Sequence, residues 1–392
     1  MHLYIHVPFC RRACHYCDFH FSTNLTTKSA LTRAMIEEMD LRKAYLPTQS
    51  LETIYFGGGT PSLLNINELY DIFEKIHALF LVSPTAEITL EANPDDITAE
   101  RIKVWQKFGI NRLSIGIQTF DEYQLAFLNR IHTAVHAENC VKIAQDSGID
   151  DLSIDLIYGI DPVASYAKAI KRKWVTPPAD RHQIWQNDLE KAMKLNVTHL
   201  SSYCLTIEEK TVFGQWQKTN KLPEPDDIFA EEQFKILLDY TVNHGFEQYE
   251  ISNFARNKKY ARHNTSYWLG EPYLGIGPSA HSFNGTSRQH SIANNALYIK
   301  GVEEKNIPFT LENLSPTDEA NEYIMTGLRT KWGVSLAKVQ EKFRTDLPAS
   351  FFQIVEKYKN QGKLTESENQ LFLTKEGKFL ADGIASDLFL GE

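Results

Sequence analysis

The stretch LYIHVPFCRRACHYCDFHF (residues 3–21) decides how the rest of the chain is read. It opens on LYIHVP (3–8), an apolar run whose residue types suit a strand, and continues into Cys10, Cys14 and Cys17, a C-x3-C-x2-C spacing. Three of the five cysteines of the chain therefore stand within eight residues. An odd and sparse set does not make a disulfide framework, whereas clustered thiols in a reducing compartment bind metal.

Outward from this point, short runs rich in Ile, Leu, Val and Tyr alternate with longer segments of helical period, the pattern of repeated βα units around a parallel sheet. Six strands are predicted, at 3–8, 53–56, 87–92, 112–117, 152–158 and 199–205, with helices between them such as 29–46, 66–80 and 180–195. The stretch 161–180, DPVASYAKAIKRKWVTPPAD, is long for a βα connection and reads as an insertion serving as an active-site lid. Beyond about residue 305 the pattern changes to two helices, in 317–330 and 350–362, and a β-like pair in 363–377, a small winged-helix-like α+β appendage. The expected division is 1–205 for a partial (β/α)6 barrel, 206–304 for a barrel-closing extension and 305–392 for the appendage.

With 392 residues and 42% hydrophobic content the chain can bury a large core. A net charge of −9 argues against a nucleic-acid partner. The basic runs KAIKRKW (168–174) and ARNKKYAR (255–262) read as solvated surface. Neither a secretory leader nor a run near the ~18 apolar residues of a membrane span is visible, so a cytoplasmic location is expected.

In a parallel βα barrel the loops after the strands converge at one mouth. The cysteine triplet follows the first predicted strand, FGGGTPS (56–62) the second, EANPDD (91–96) the third and QTF (118–120) the fourth. Asp155 and Tyr158 lie toward the end of the fifth, Tyr203 and Cys204 toward the end of the sixth. Three thiolates at this spacing suit a four-iron cluster with one iron left open. A Cys3His zinc site with His6, His15 or His20 is the alternative, and a cluster completed by Cys140 or Cys204 is a third. Cys140, in ENCVKIAQ, has the simpler reading of a buried thiol on a helix face. The glycine run lets backbone approach a ligand and present N–H groups to a carboxylate. Glu91, Gln118, Arg130 and Asp155 offer further polar contacts.

With C-x3-C-x2-C and GGGTP on a six-unit barrel, the chain resembles the radical S-adenosylmethionine (SAM) enzymes. The segments YIHVPFC, FGGGTPS, EANPD, GIQTF, NRIHT, IDLIYG and YLGIGPSAHS resemble, over nearly the whole chain, the oxygen-independent coproporphyrinogen III oxidase (HemN/HemW) family. The resemblance implies a [4Fe-4S] cluster on Cys10, Cys14 and Cys17 whose open iron chelates SAM, and SAM contacts at Tyr4, Tyr16, Gly58, Gly59, Thr60, Glu91, Gln118, Arg130 and Asp155. Two marks point to the HemW branch, that of heme chaperones: Phe19 stands where the oxidases carry a fourth cysteine, and only nine residues precede Cys10. EQYEISNFARNKKYARHNTSYW (247–268) carries that branch's H-N-x-x-Y-W signature from His263.

The implied function is delivery of heme to apo-hemoproteins, with no coproporphyrinogen III dehydrogenase activity. The alternative is the oxidase itself, removing carboxyl carbons from two propionates. Implied partners are heme, hemoprotein recipients, membrane ones touched peripherally, and an electron donor. His263 is the candidate heme ligand, near the C-terminal end of the barrel, with the basic loop before it facing propionates, and His281 is a second candidate. The bland reading of His263 is a buried residue that helps close the barrel.

Overall fold

The computed structural model describes residues 1–171, 175, 176 and 178–391. Six strands run parallel in the order of the chain: β1 (His2–Val7), β2 (Ser50–Gly58), β3 (Leu81–Ala92), β4 (Arg112–Gln118), β5 (Asp151–Tyr158) and β6 (His199–Cys204). Each predicted strand is present, and helices such as Lys28–Arg42, Ile66–Leu79 and Gln183–Lys194 lie between them. The period-2 alternation of β1 explains its seat: Leu3, Ile5 and Val7 are fully buried in the apolar core, while Tyr4 and His6 take the other face, toward the lumen. The sheet is wider than the six predicted units. β7 (Glu247–Glu250) and β8 (Asn253–Ala255) add an antiparallel pair beyond β6. β9 (Tyr273–Ile276) adds parallel to β1, and β10 (His281–Phe283), β11 (Ser287–Ser291) and β12 (Phe309–Asn313) continue antiparallel from it, so the described residues form one twelve-stranded sheet.

A separate core, including Ala320, Ile324, Val339, Phe351, Val355 and Leu371, belongs to the C-terminal unit. Its three short antiparallel strands alternate with helices in the winged-helix order: helix Pro316–Leu328, β13 (Val334–Ser335), helices Leu336–Phe343 and Ala349–Asn360, then β14 (Leu364–Ser367) and β15 (Gln370–Leu373). Helix Leu336–Phe343 escapes the sequence reading. The strand Phe309–Asn313 pairs with β11, so the main sheet runs past residue 305 and the appendage begins only after Asn313.

The stretch 161–180 differs from a free lid in its first half. Helix Pro162–Lys171 docks on helix Glu122–Phe127, where the Tyr166 hydroxyl donates to Asp121 at 2.6 Å and its ring lies 4.5 Å from that of Tyr123. Residues 172–174 and 177 of the predicted lid, with much of the basic run 168–174, lie outside the described residues.

Candidate cofactor and metal site

The loop carrying the three thiols is held at the mouth from two sides. Asn129 Nδ2 donates to the Ala13 carbonyl at 2.7 Å, and His15 Nδ1 to that of Phe127 at 2.8 Å. The Phe213 N–H reaches the His15 carbonyl at 3.0 Å, and Cys10 N reaches Ser22 O at 3.1 Å. Cys10, Cys14 and Cys17 are free and half-buried on one wall of a cavity of about 540 Å³. Thr60 Oγ1 donates to Cys10 Sγ, and Arg130 Nη1 to Cys14 Sγ, each at 3.4 Å. Burial pushes the thiols of Cys10 and Cys17 up, the latter to about 12.

The glycine run forms the adjoining wall, and its sequence follows from crowding. A Cβ on Gly59 would stand 2.8–2.9 Å from backbone atoms of Phe9 and Val7, and one on Gly58, whose φ is +105°, would enter the His6 ring. Glu91, at the end of β3, accepts from the Tyr55 hydroxyl at 2.7 Å and from the Gly58 N–H. Burial raises its carboxyl to about 7. Asp155 on β5 accepts from Ser114 Oγ at 3.3 Å and from Ser201, and burial raises it to about 6. Gln118 sits at a register shift in β4 with φ 73°. Arg130 Nη2 donates to Gly116 O at 2.6 Å and Asn93 Oδ1 at 2.7 Å, while its buried Nε has no partner among the described residues.

Eight of the nine residues singled out for SAM line this cavity together with the thiols: Tyr16, Gly58, Gly59, Thr60, Glu91, Gln118, Arg130 and Asp155. Tyr4 does not. It lies one layer deeper, beneath Gly57, with its hydroxyl bonded to His6 Nδ1 at 3.0 Å. The sequence reading also missed Asn93 and Ser114, which hold or border Arg130 and Asp155. The signal for Ser114 was the period-2 alternation that turns it to the lumen, and that for Asn93 its place directly after a strand end.

The donor set fits a cluster and a polar ligand with an anionic group. Among the described residues no three His, Cys, Asp or Glu side chains converge to hold one metal ion. A four-iron cluster asks instead for thiolates spread over different irons. The glycine cradle and Arg130 line the same space.

His263 is placed at the other end of the barrel, not the C-terminal end expected for a heme site. It contacts residues of the strands' N-terminal halves: its Nδ1 shares a 2.6 Å hydrogen bond with Thr53 Oγ1, and its Nε2 one of 2.7 Å with the Tyr267 hydroxyl. The ring is stacked on Tyr55 at 5.0 Å and is 1% exposed. Burial, then the neighbouring His2 and Arg112, holds it far below the ordinary imidazole range. Both ring nitrogens are engaged by protein hydroxyls. The basic loop before it is also partly committed: Arg256 donates to His244 O and Asn196, and Arg262 to Thr85 O and Glu52.

Comparison with known proteins follows the same lines. Residues 4–163 match the family model of the radical SAM superfamily, and residues 314–380 that of the HemN C-terminal domain. The heme chaperone HemW of Bacillus subtilis (strain 168) is 31% identical, with 99% of each chain covered. The heme chaperone HemW of Escherichia coli (strain K12) is 36% identical over 71% of this chain and 69% of its own. Among solved structures, the coproporphyrinogen III oxidase HemN of E. coli, a radical SAM enzyme, superposes with a TM-score of 0.81, covering 99% of this chain and 89% of that one. At 19% identity this last likeness shows the fold alone.

Proposed function

Because the chain belongs to the HemW family of radical SAM proteins, we propose that it is a heme chaperone, which binds heme and passes it to apo-hemoproteins without acting as a coproporphyrinogen III oxidase. The observation that carries this reading is the mouth itself. Three thiols and a glycine cradle share one cavity, and the position two beyond Cys17 holds Phe19, 71% exposed at the cavity wall, which has no sulfur to offer. Nearly full-length likeness to proteins named heme chaperones supports it.

Cys10, Cys14 and Cys17 would hold a [4Fe-4S] cluster, which when bound supplies an open iron and an electron to a chelating ligand. Gly58, Gly59 and Thr60 would receive the amino-acid end of SAM on backbone and hydroxyl groups. Arg130 keeps a guanidinium against the Cys14 sulfur. Glu91, Gln118 and Asp155 present the remaining polar contacts, and burial keeps water from competing for them.

Anaerobic reconstitution followed by parallel assays tests the proposal. We expect iron and sulfide in cluster proportion that Cys14→Ser abolishes, hemin binding, transfer of heme to an apo-hemoprotein, and no decarboxylated porphyrinogen with SAM and reductant. Decarboxylation over multiple turnovers, or failure to bind heme, would overturn it.

A further inference from the structure

Of the thirteen histidines, nine have a ring nitrogen engaged by protein: His2, His6, His15, His20, His132, His182, His199, His244 and His263. Among the described residues the rest are His77, His136, His281 and His290, and only the last two adjoin. They are direct register partners on β10 and β11, both exposed, with ring centroids 5.4 Å apart and planes 26° from parallel.

Two residues along, Phe283 faces Arg288 in the same register. Direct partners and their i±2 neighbours share a sheet face, so all four side chains form one patch. Arg288 lies 5.8 Å over the Phe283 ring and is fixed there by two bonds to Glu322, at 2.6 and 2.8 Å. The other face of these strands is taken: Ser282 and Gln289 receive the guanidinium of Arg42. The patch lies beside the cysteine mouth. His281 follows the loop after β9, which pairs parallel with β1, and β1 runs into the cysteine loop.

We infer that heme is held on this face of β10 and β11, with the imidazole of His281 or His290 as its axial iron ligand and the Phe283 side of the patch against the porphyrin. The inference rests on the heme-chaperone reading and adds where the heme sits. A free imidazole nitrogen is a strong ligand for heme iron, and an aromatic ring suits a flat apolar macrocycle. Trans ligands face each other across the porphyrin plane, which two rings stacked side by side cannot do. One histidine of the pair would therefore hold the iron.

Hemin titration of the full chain, read by Soret absorbance and affinity, tests this on wild type, the double variant His281→Ala/His290→Ala, and His136→Ala as a surface control. Because both side chains are exposed, circular dichroism and iron–sulfide content should match wild type. We expect the double variant to lose affinity on the order of tenfold or more with a shifted Soret band, and His136→Ala to match wild type. Wild-type affinity and spectrum in the double variant would overturn the assignment and leave the chaperone reading standing. A wild-type chain that binds no hemin would instead remove the chaperone reading, and the assignment with it.

Discussion

At the scale of single residues, Asp188 shows how the site is held by groups that never enter it. Its buried carboxylate, on helix Gln183–Lys194, accepts from Thr119 Oγ1 at 2.7 Å and from the Phe120 N–H at 2.8 Å. These residues follow Gln118, whose left-handed backbone costs about 1 kcal/mol without a glycine. Burial raises the Asp188 carboxyl to about 7. A carboxyl raised on folding stabilises fully below its unfolded value of about 4 and loses that contribution as pH climbs toward about 7. Asp188→Asn copies the protonated form. Urea denaturation at about pH 5 and about pH 8 should show the variant gaining on wild type at the higher pH, and parallel pH profiles would contradict the assignment. The thiols, glycines and carboxylates of the mouth were legible as residue types beyond strand ends. Asp188 was not, because nothing in a helix sequence tells which loop its polar side chain will meet.

At the scale of elements, helix Arg262–Trp268 is the plug of the barrel. Glu87 of β3 accepts from the N–H groups of Arg262 and His263, at 2.9 and 3.0 Å, at the helix N-terminus where backbone donors lack partners. The H-N-x-x-Y-W stretch was plain in the sequence, yet its end of the barrel was not. That end is set by the antiparallel return through β7 and β8, a pairing that local periodicity does not encode. His263→Ala removes a buried ring, leaves the Tyr267 hydroxyl without its partner and leaves Thr53 only His2, so a loss of about 2–4 kcal/mol is expected in chemical denaturation. Hemin affinity of the folded fraction should stay unchanged, since the ring nitrogens serve the plug; a large specific loss of heme binding at full stability would reverse this.

At the scale of the whole molecule, the winged-helix-like unit is stitched to the sheet edge. Arg329 donates from its Nε to Glu250 at 3.1 Å, reaches Asp382 at 2.6 Å, and lies 5.5 Å over the Trp268 ring, while Ile251 N bonds the Arg329 carbonyl at 2.9 Å. Glu250 is 2% exposed and also accepts from Ser252 N and Asn253 Nδ2. Removing the guanidinium leaves a buried carboxylate short of its cation, for which about 3 kcal/mol is the expected penalty. Thermal melting of Arg329→Ala should drop by several degrees, with cluster loading at low temperature retained. Loss of cluster at unchanged melting temperature would place Arg329 in the site and not at the seam.

The sequence by itself determined the βα alternation, the parallel strands, the cysteine spacing and the convergence of their following loops on one rim. These follow from side-chain period and loop length, which act over a few residues. Tertiary structure alone decided that Tyr4 lies beneath the cavity, that Ser114 and Ser201 hold Asp155, that His263 faces away from the thiols, and that His281 and His290 stand ring against ring. Each depends on strand order and register, set by pairing between segments distant in the chain, where a one-residue slip turns every side chain to the other face.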